Sequence, residues 1–379
     1  MVDMEEMRSF VDVWASAVAL LCYCYAVAAS VPKGAARLAF FLPVFYLLAV
    51  LPLGLSSFHL VTPCAFLLAW LCNFKLLLFS FGTGPLSRSP NCLRFILVAS
   101  LPIDIKLVDA PPVEPRLLEA RPSDHPTNWK HNKSRCSERS GSTSPNLHRM
   151  VLLAAKALVV ALAVHAYDYK PSLHPYLVWA LHGAIWFFGI ELALAVYAIL
   201  GWAILGRSGL KLDAQFNEPC LSTSLEDFWG RRWNLTVSRI FRLAIYNPLR
   251  SVCVQMLGPD LACYPATIAT FTISGLMHEA MCYYFIRVAP TWEVTAFFVI
   301  QGGCLVVEKV AKKRLGDSWQ PNWVVSWFLT LGLLAMTAVP LLGLPLTRNG
   351  VDEKGIRECH AVANFIKEKV RRLISASTG

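Results

Sequence analysis

One feature restricts this chain more than any other: apolar runs long enough to cross a hydrocarbon layer recur along it. A spanning helix takes about 20 mostly apolar residues, because within lipid each backbone N–H and C=O must be paired inside the protein. Such runs lie at residues 10–30, 35–55, 59–81, 150–167, 174–205, 265–286, 294–310 and 323–344, with a short one at 251–256. The run at 174–205 reads as one long helix or two short ones. The run at 93–105 is too short to cross unaided and reads as re-entrant, interfacial or half of a broken helix. The pattern predicts an all-α, polytopic integral membrane protein with about eight to ten transmembrane helices.

Composition excludes the main alternatives. Hydrophobic residues make up 55% of the chain and charged ones 16%, against roughly 25% charged in soluble domains. The net charge of +10 is spread between apolar runs and forms no single stripe, so it suits lipid headgroups or an anionic substrate better than nucleic acid. Most of the 12 cysteines sit inside apolar runs and no CxxC pair occurs, which speaks against a disulfide framework or a zinc site. The leader of the first run is acidic and its apolar part long, so it reads as a retained span and not as a signal peptide.

Four segments follow from the pattern: N-terminal membrane helices (1–105), a polar, flexible loop (106–149), C-terminal membrane helices with the distinctive motifs (150–348), and an amphipathic tail (349–379) expected as a surface helix. Asn132 in the polar loop opens a formal glycosylation sequon. Lys33 and Arg37 in the first connection and the basic cluster at 309–314 predict cytoplasmic ends, with a lumenal N-terminus.

Ionisable groups inside apolar runs are costly unless they face protein or water. Here they are Lys75, Lys156, His165, His182, Glu191, His278, Glu279 and Glu308. Lys156 and His165 are expected to snorkel or pair, and Glu308 to pair with Lys309. His278 has Ser274 and Gly275 one helical turn before it; these small residues leave room for a substrate chain or allow close helix packing. Glu279 lies about 100° round the helix and is expected to pair elsewhere. A second group mixes tryptophans with Arg231, Arg232, Arg239 and Arg242 and the amide of Asn234. Arginines at helical spacing suit a place where phosphates are held, and lipid headgroups alone could account for them.

Phe228-Trp-Gly-Arg-Arg-Trp-Asn234, followed 44 residues later (278 − 234) by His278 in Ser274-Gly-Leu-Met-His-Glu279, resembles the membrane-bound O-acyltransferases, most closely their plant wax synthase branch. Residues 73–82 and Gly84-Pro85-Leu86 also look like that branch, and the likeness covers nearly the whole chain. The resemblance implies a multi-pass enzyme of the endoplasmic reticulum membrane. It would move an acyl group from acyl-CoA, a co-substrate and not a bound cofactor, to a lipid alcohol, a long-chain fatty alcohol first, with a sterol or diacylglycerol as alternatives. The family's catalytic histidine and asparagine carry over to His278 and Asn234. A neutral histidine suits removal of an alcohol proton; the amide of Asn234 would orient substrate or stabilise the oxyanion. Arg231, Arg232, Arg239 and Arg242 become candidates for the CoA phosphates, and Lys75 a further one, with structural pairing as its other reading. A transporter would show inverted repeats, of which the sequence has no sign; a non-catalytic lipid-binding protein is the remaining rival. The enzyme reading requires an imidazole that can be reached and is not sealed among aliphatic side chains.

Overall fold

In a computed structural model of the chain, residues 4–103, 105–107, 145–205, 210–212, 215–316 and 322–377 are described. Most of the loop at 106–149, including Asn132, lies outside them. The helices are α1 (Met4–Ser30), α2 (Ala35–Val50), α3 (Phe58–Ser80), α4 (Cys92–Ser100), α5 (Pro145–Tyr167) and α6 (Pro175–Leu205). They continue with α7 (235–257, in three joined pieces), α8 (Cys263–Ile286), α9 (Glu293–Leu315), α10 (Trp323–Arg348) and α11 (Val351–Ser377). Seven of these are long and apolar enough to cross a membrane: α1, α2 with the turn after it, α3, α5, α6, α9 and α10. The 24 residues of α8, richer in Thr, Ser and Gly, pack against α3, α7 and α9. The chain is a multi-pass, all-α membrane protein.

Three details refine the sequence expectations. The run at 174–205 is one helix of 31 residues. The run at 251–256 is the end of α7, with no buried residue, and is not a separate span. The short run at 93–105 is half-length α4, whose Phe95, Val98 and Ala99 are buried against α1 and α3. After α4 the chain forms β1 (Ile105–Leu107), paired antiparallel with β2 (Leu210–Leu212), Ile105 facing Leu212. Two three-residue strands carry too little pattern to be seen in the sequence, and their pairing ties the segment after α4 to the one after α6.

Charged residues meet the needs of helix ends. The first N–H groups and last carbonyls of a helix have no backbone partner. At the start of α3, Glu6 from α1 accepts from the N–H groups of Ser56 (2.7 Å) and Ser57 (2.8 Å), and Glu358 from α11 from those of Phe58 (2.9 Å) and His59 (3.0 Å). Two carboxylates thus cover four successive donors at the positive end of the helix dipole. Arg37 is buried and donates to the carbonyls of Ala28 and Val31 at the end of α1. Arg287 does the same for Leu53 and Leu55 after α2. Lys75 is fully buried, and its Nζ donates to the carbonyls of Val98 (2.5 Å) and Leu101 (2.6 Å) at the end of α4. Lys156 pairs with Glu191 at 2.6 Å, and His165 Nδ1 lies 3.6 Å from Asp168 Oδ2. Glu308 pairs with Lys312 at 2.6 Å and not with Lys309, since residues four apart share a helix face and adjacent ones do not.

The tail is a helix whose first turns belong to the bundle. Val351, Asp352 and Ile356 are buried, whereas Val362, Phe365 and Val370 further along are exposed. Asp352 Oδ2 accepts from Tyr167 Oη (2.5 Å) and Lys170 Nζ (3.3 Å) and lies 3.1 Å from His182 Nε2. Burial works against this carboxylate, but the Tyr167 hydroxyl and Lys170 ammonium outweigh it and hold its pKa below the usual carboxylate range. The resulting stability is present above the ordinary value of 3.8 and is lost as pH falls through the lowered one. Asp352→Asn should therefore release α11 at neutral pH, read as faster proteolysis within 351–377, as strong acid should in the native chain; unchanged cleavage of the variant would refute the anchoring role.

Candidate active site

The pairing of α8 with α9 is the most extensive in the bundle. Two glycines allow it. A Cβ on Gly275 would stand 3.0 Å from the Thr295 Cα and carbonyl oxygen, and one on Gly302 2.8 Å from Phe271 Cβ. Gly275 therefore serves close helix contact rather than an open space beside His278. Glu279 faces away from the imidazole, as its place on the helix requires. Its carboxylate accepts from the N–H groups of Trp292 and Thr295 (both 2.9 Å) and caps the start of α9.

His278 sits between aromatic rings. Phe298 of α9 stacks on it with centroids 4.2 Å apart and planes at 29°, and Trp70 of α3 meets it edge-on at 5.0 Å. Its Nδ1 lies 2.7 Å from the Ser274 carbonyl oxygen. A carbonyl can only accept, so this bond places the proton on Nδ1. In the neutral ring Nε2 then carries the lone pair, and no hydrogen-bond partner meets it among the described residues. The residue is half-buried, and the rings of Phe298 and Trp70 flank its imidazole.

The arginine-rich motif forms a compact loop before α7. Ser224 Oγ accepts from the Asp227 N–H to start a single helical turn, which widens into a π-type turn over Phe228–Arg232. Trp233 then stacks on Phe228 (5.5 Å, 14°) and breaks the helix. Asn234 takes a left-handed conformation, φ 37°, which asparagine tolerates better than most residues. Its Oδ1 accepts from the Val237 N–H at 3.3 Å, capping α7, so its amide N–H groups are what it has left to offer a substrate. No hydrogen bond joins Asn234 to His278 among the described residues; aromatic contacts link their elements. Trp229 of the loop packs on Phe298 (6.0 Å), and Phe241 of α7 on Trp70 (5.8 Å).

The candidate cations differ in their surroundings. Arg231 and Arg242 are exposed, while Arg239 is half-buried. Arg232 is held by Asp227 (2.5 Å) and the carbonyls of Asn217 and Glu218 (3.2 Å each), which staple the loop. Lys75 contacts backbone carbonyls as described, the pairing alternative. The loop sits at the basic end of α9: Glu308 Oε2 accepts from the Leu225 N–H (2.8 Å), and Lys312 meets Glu226 at 3.3 Å. Trp70 and Phe298 escaped the sequence reading, which sought ionisable groups inside apolar runs; ring partners of a histidine leave no such mark.

A model described as the membrane bound O-acyl transferase family matches residues 212–300, the segment that contains both motifs. A long-chain-alcohol O-fatty-acyltransferase of Simmondsia chinensis is 40% identical to this chain over 98% of each. The chain belongs to the membrane-bound O-acyltransferase family. Two Arabidopsis thaliana proteins are also similar over nearly full length. A probable long-chain-alcohol O-fatty-acyltransferase is 38% identical, over 96% of this chain and 98% of its own, and an acyl-CoA–sterol O-acyltransferase 36%, over 98% and 99%. The acyltransferase thus places the histidine and asparagine motifs on two elements held together by aromatic packing.

Backbone at Thr295 cannot yield as a flexible side chain can. Gly275→Ala in this acyltransferase should part α8 from α9, cost about 1–3 kcal/mol and lower turnover by disturbing the Phe298–His278 stack. Gly303→Ala, whose Cβ would meet nothing within 4 Å, serves as the control. Thermal midpoints in detergent, with turnover, compare the two; equal midpoints would remove the packing argument.

Proposed function

We propose that the acyltransferase esterifies a long-chain fatty alcohol with the acyl group of acyl-CoA, in the endoplasmic reticulum membrane. The observation that carries the reaction is the His278 imidazole, fixed through Nδ1 to the Ser274 carbonyl with its Nε2 lone pair left over. An alcohol is a weak nucleophile at neutral pH, so a base must take its proton as the oxygen attacks the thioester carbonyl. Nε2 does this; the C–S bond breaks and CoA departs as the thiol, taking up the proton. Such a base contributes about 10² to 10⁴-fold. Asn234, its Oδ1 spent on the cap of α7, donates from its amide to the thioester oxygen as negative charge gathers there.

Acyl-CoA meets the enzyme at residues 228–242, the motif loop and the first turns of α7. Arg231 and Arg242 offer exposed guanidiniums to the CoA phosphates, with Arg239 beside them, while Arg232 keeps the loop in shape. Lys312 and Lys313 lie at the same end of α9 as this loop, which suits the cytoplasmic face and a water-soluble donor. The fatty-alcohol acceptor is taken from the full-length similarity to the Simmondsia chinensis protein.

Microsomes from yeast lacking its own neutral-lipid acyltransferases, given labelled acyl-CoA with a panel of alcohols, sterols and diacylglycerol, should form wax esters. Sterol esters alone would move the acceptor to the sterol class named for the Arabidopsis thaliana relative. His278→Ala should lower turnover by about 10² to 10⁴-fold; a folded, fully active variant would end the base assignment. Arg231→Ala with Arg242→Ala should raise the KM for acyl-CoA with little change in kcat, and an unchanged KM would take both out of the donor site.

A further inference from the structure

Gln301 is a wholly buried amide in the middle of α9, among apolar neighbours. An unbonded amide in such a place costs at least about 1–3 kcal/mol, yet both of its ends are engaged. Nε2 donates to Thr337 Oγ1 of α10 at 2.8 Å, and that hydroxyl donates to the Leu333 carbonyl at 2.7 Å. Oε1 accepts from the indole Nε1 of Trp229 at 3.3 Å. The shorter bond anchors the amide to α10, and the longer one reaches across to the motif loop.

Trp229 is not itself beside the imidazole. Its ring packs against Phe271, Phe297 and Phe298, and Phe298 carries the face on which His278 stacks. Its carbonyl oxygen accepts from Ser238 Oγ at 3.0 Å, which joins the loop to α7. Ring packing alone leaves an indole free to slide in its plane, and a hydrogen bond to Nε1 fixes that freedom. We propose that Gln301 is a positioning residue for the acyl transfer: through Trp229 and Phe298 it sets the plane of the His278 ring and keeps the donor loop in register with it. This rests on His278 acting as the base. The residue needed here is an acceptor on α9, three positions from Phe298, with a side chain long enough to reach the indole N–H of Trp229, and a leucine of similar volume would pack there without serving it.

The test uses the full-length enzyme in microsomes, with initial rates measured over a range of acyl-CoA concentrations. Gln301→Leu should lower kcat about tenfold, a misplacement effect, with the KM for acyl-CoA unchanged. Trp229→Phe keeps an aromatic ring, removes the N–H and should give a similar loss. The double variant should be no slower than the worse of the two singles, because both remove one bond. Thr337→Val, which frees the far end of the amide, should give a smaller loss in the same parameter. Normal kcat in Gln301→Leu or Trp229→Phe overturns the proposal, and so do losses that multiply in the double variant. If Gln301→Leu does not fold, as judged by size-exclusion elution, Trp229→Phe and Thr337→Val decide alone. His278→Ala is run beside them: an active His278→Ala sinks the base reading, whereas an inactive one beside a fully active Gln301→Leu sinks this inference and leaves the base in place.

Discussion

A helix end in or near a membrane has donors or acceptors that its own backbone cannot pair, and lipid offers none. That constraint organises this molecule. Glu6 and Glu358 meet it at the start of α3, Glu279 at the start of α9, Arg37 at the end of α1, Arg287 after α2 and Lys75 at the end of α4. Each such side chain comes from a different helix than the one it caps, or from across a turn, so that satisfying a backbone need also fixes one helix against another. The carboxylates on α3 come from the first and the last helix of the chain, and α3 in turn carries Trp70 to the edge of His278.

The same economy explains the histidine. Its Nδ1 is occupied by a backbone carbonyl one turn earlier, so the helix selects the tautomer and the free lone pair falls on Nε2. Aromatic faces then hold the ring without competing for that lone pair, since a ring face is at most a weak hydrogen-bonding partner. Glu279, next in sequence, is turned away from the imidazole to cap α9. The hydrogen bonds of His278 Nδ1 and of Glu279 therefore both serve geometry.

The arginine-rich loop and His278 belong to different parts of the fold, and the aromatic cluster around Trp229 and Phe298 bridges them. The loop sits at the basic end of α9, whereas His278 lies within the bundle. Arg232 shows how the loop is divided between tasks. Its guanidinium is spent on Asp227 and two carbonyls, whereas Arg231 of the loop and Arg242 of α7 face outward.

The sequence by itself determined the class. Repeated apolar runs and few charges lead to a polytopic membrane protein, because bilayer thickness and backbone pairing leave a chain of that pattern little choice; the acyltransferase class rests on the resemblance of the paired Asn and His motifs to the family's, which the similarity to known relatives bears out. It also marked His278, since an ionisable group inside an apolar run is costly without a purpose. What the tertiary structure decided is which helix end each intramembrane charge caps: the sequence leaves Lys75 open between ligand and structural pairing and turns Glu279 away from His278 without naming its partner, and the ends of α4 and α9 come within their reach only in the fold. It likewise decided that Gly275 serves helix packing and that 251–256 is no span. Gln301 was passed over because it carries no charge, and its meaning comes from Trp229, 72 residues earlier in the chain, brought to its side by the fold alone.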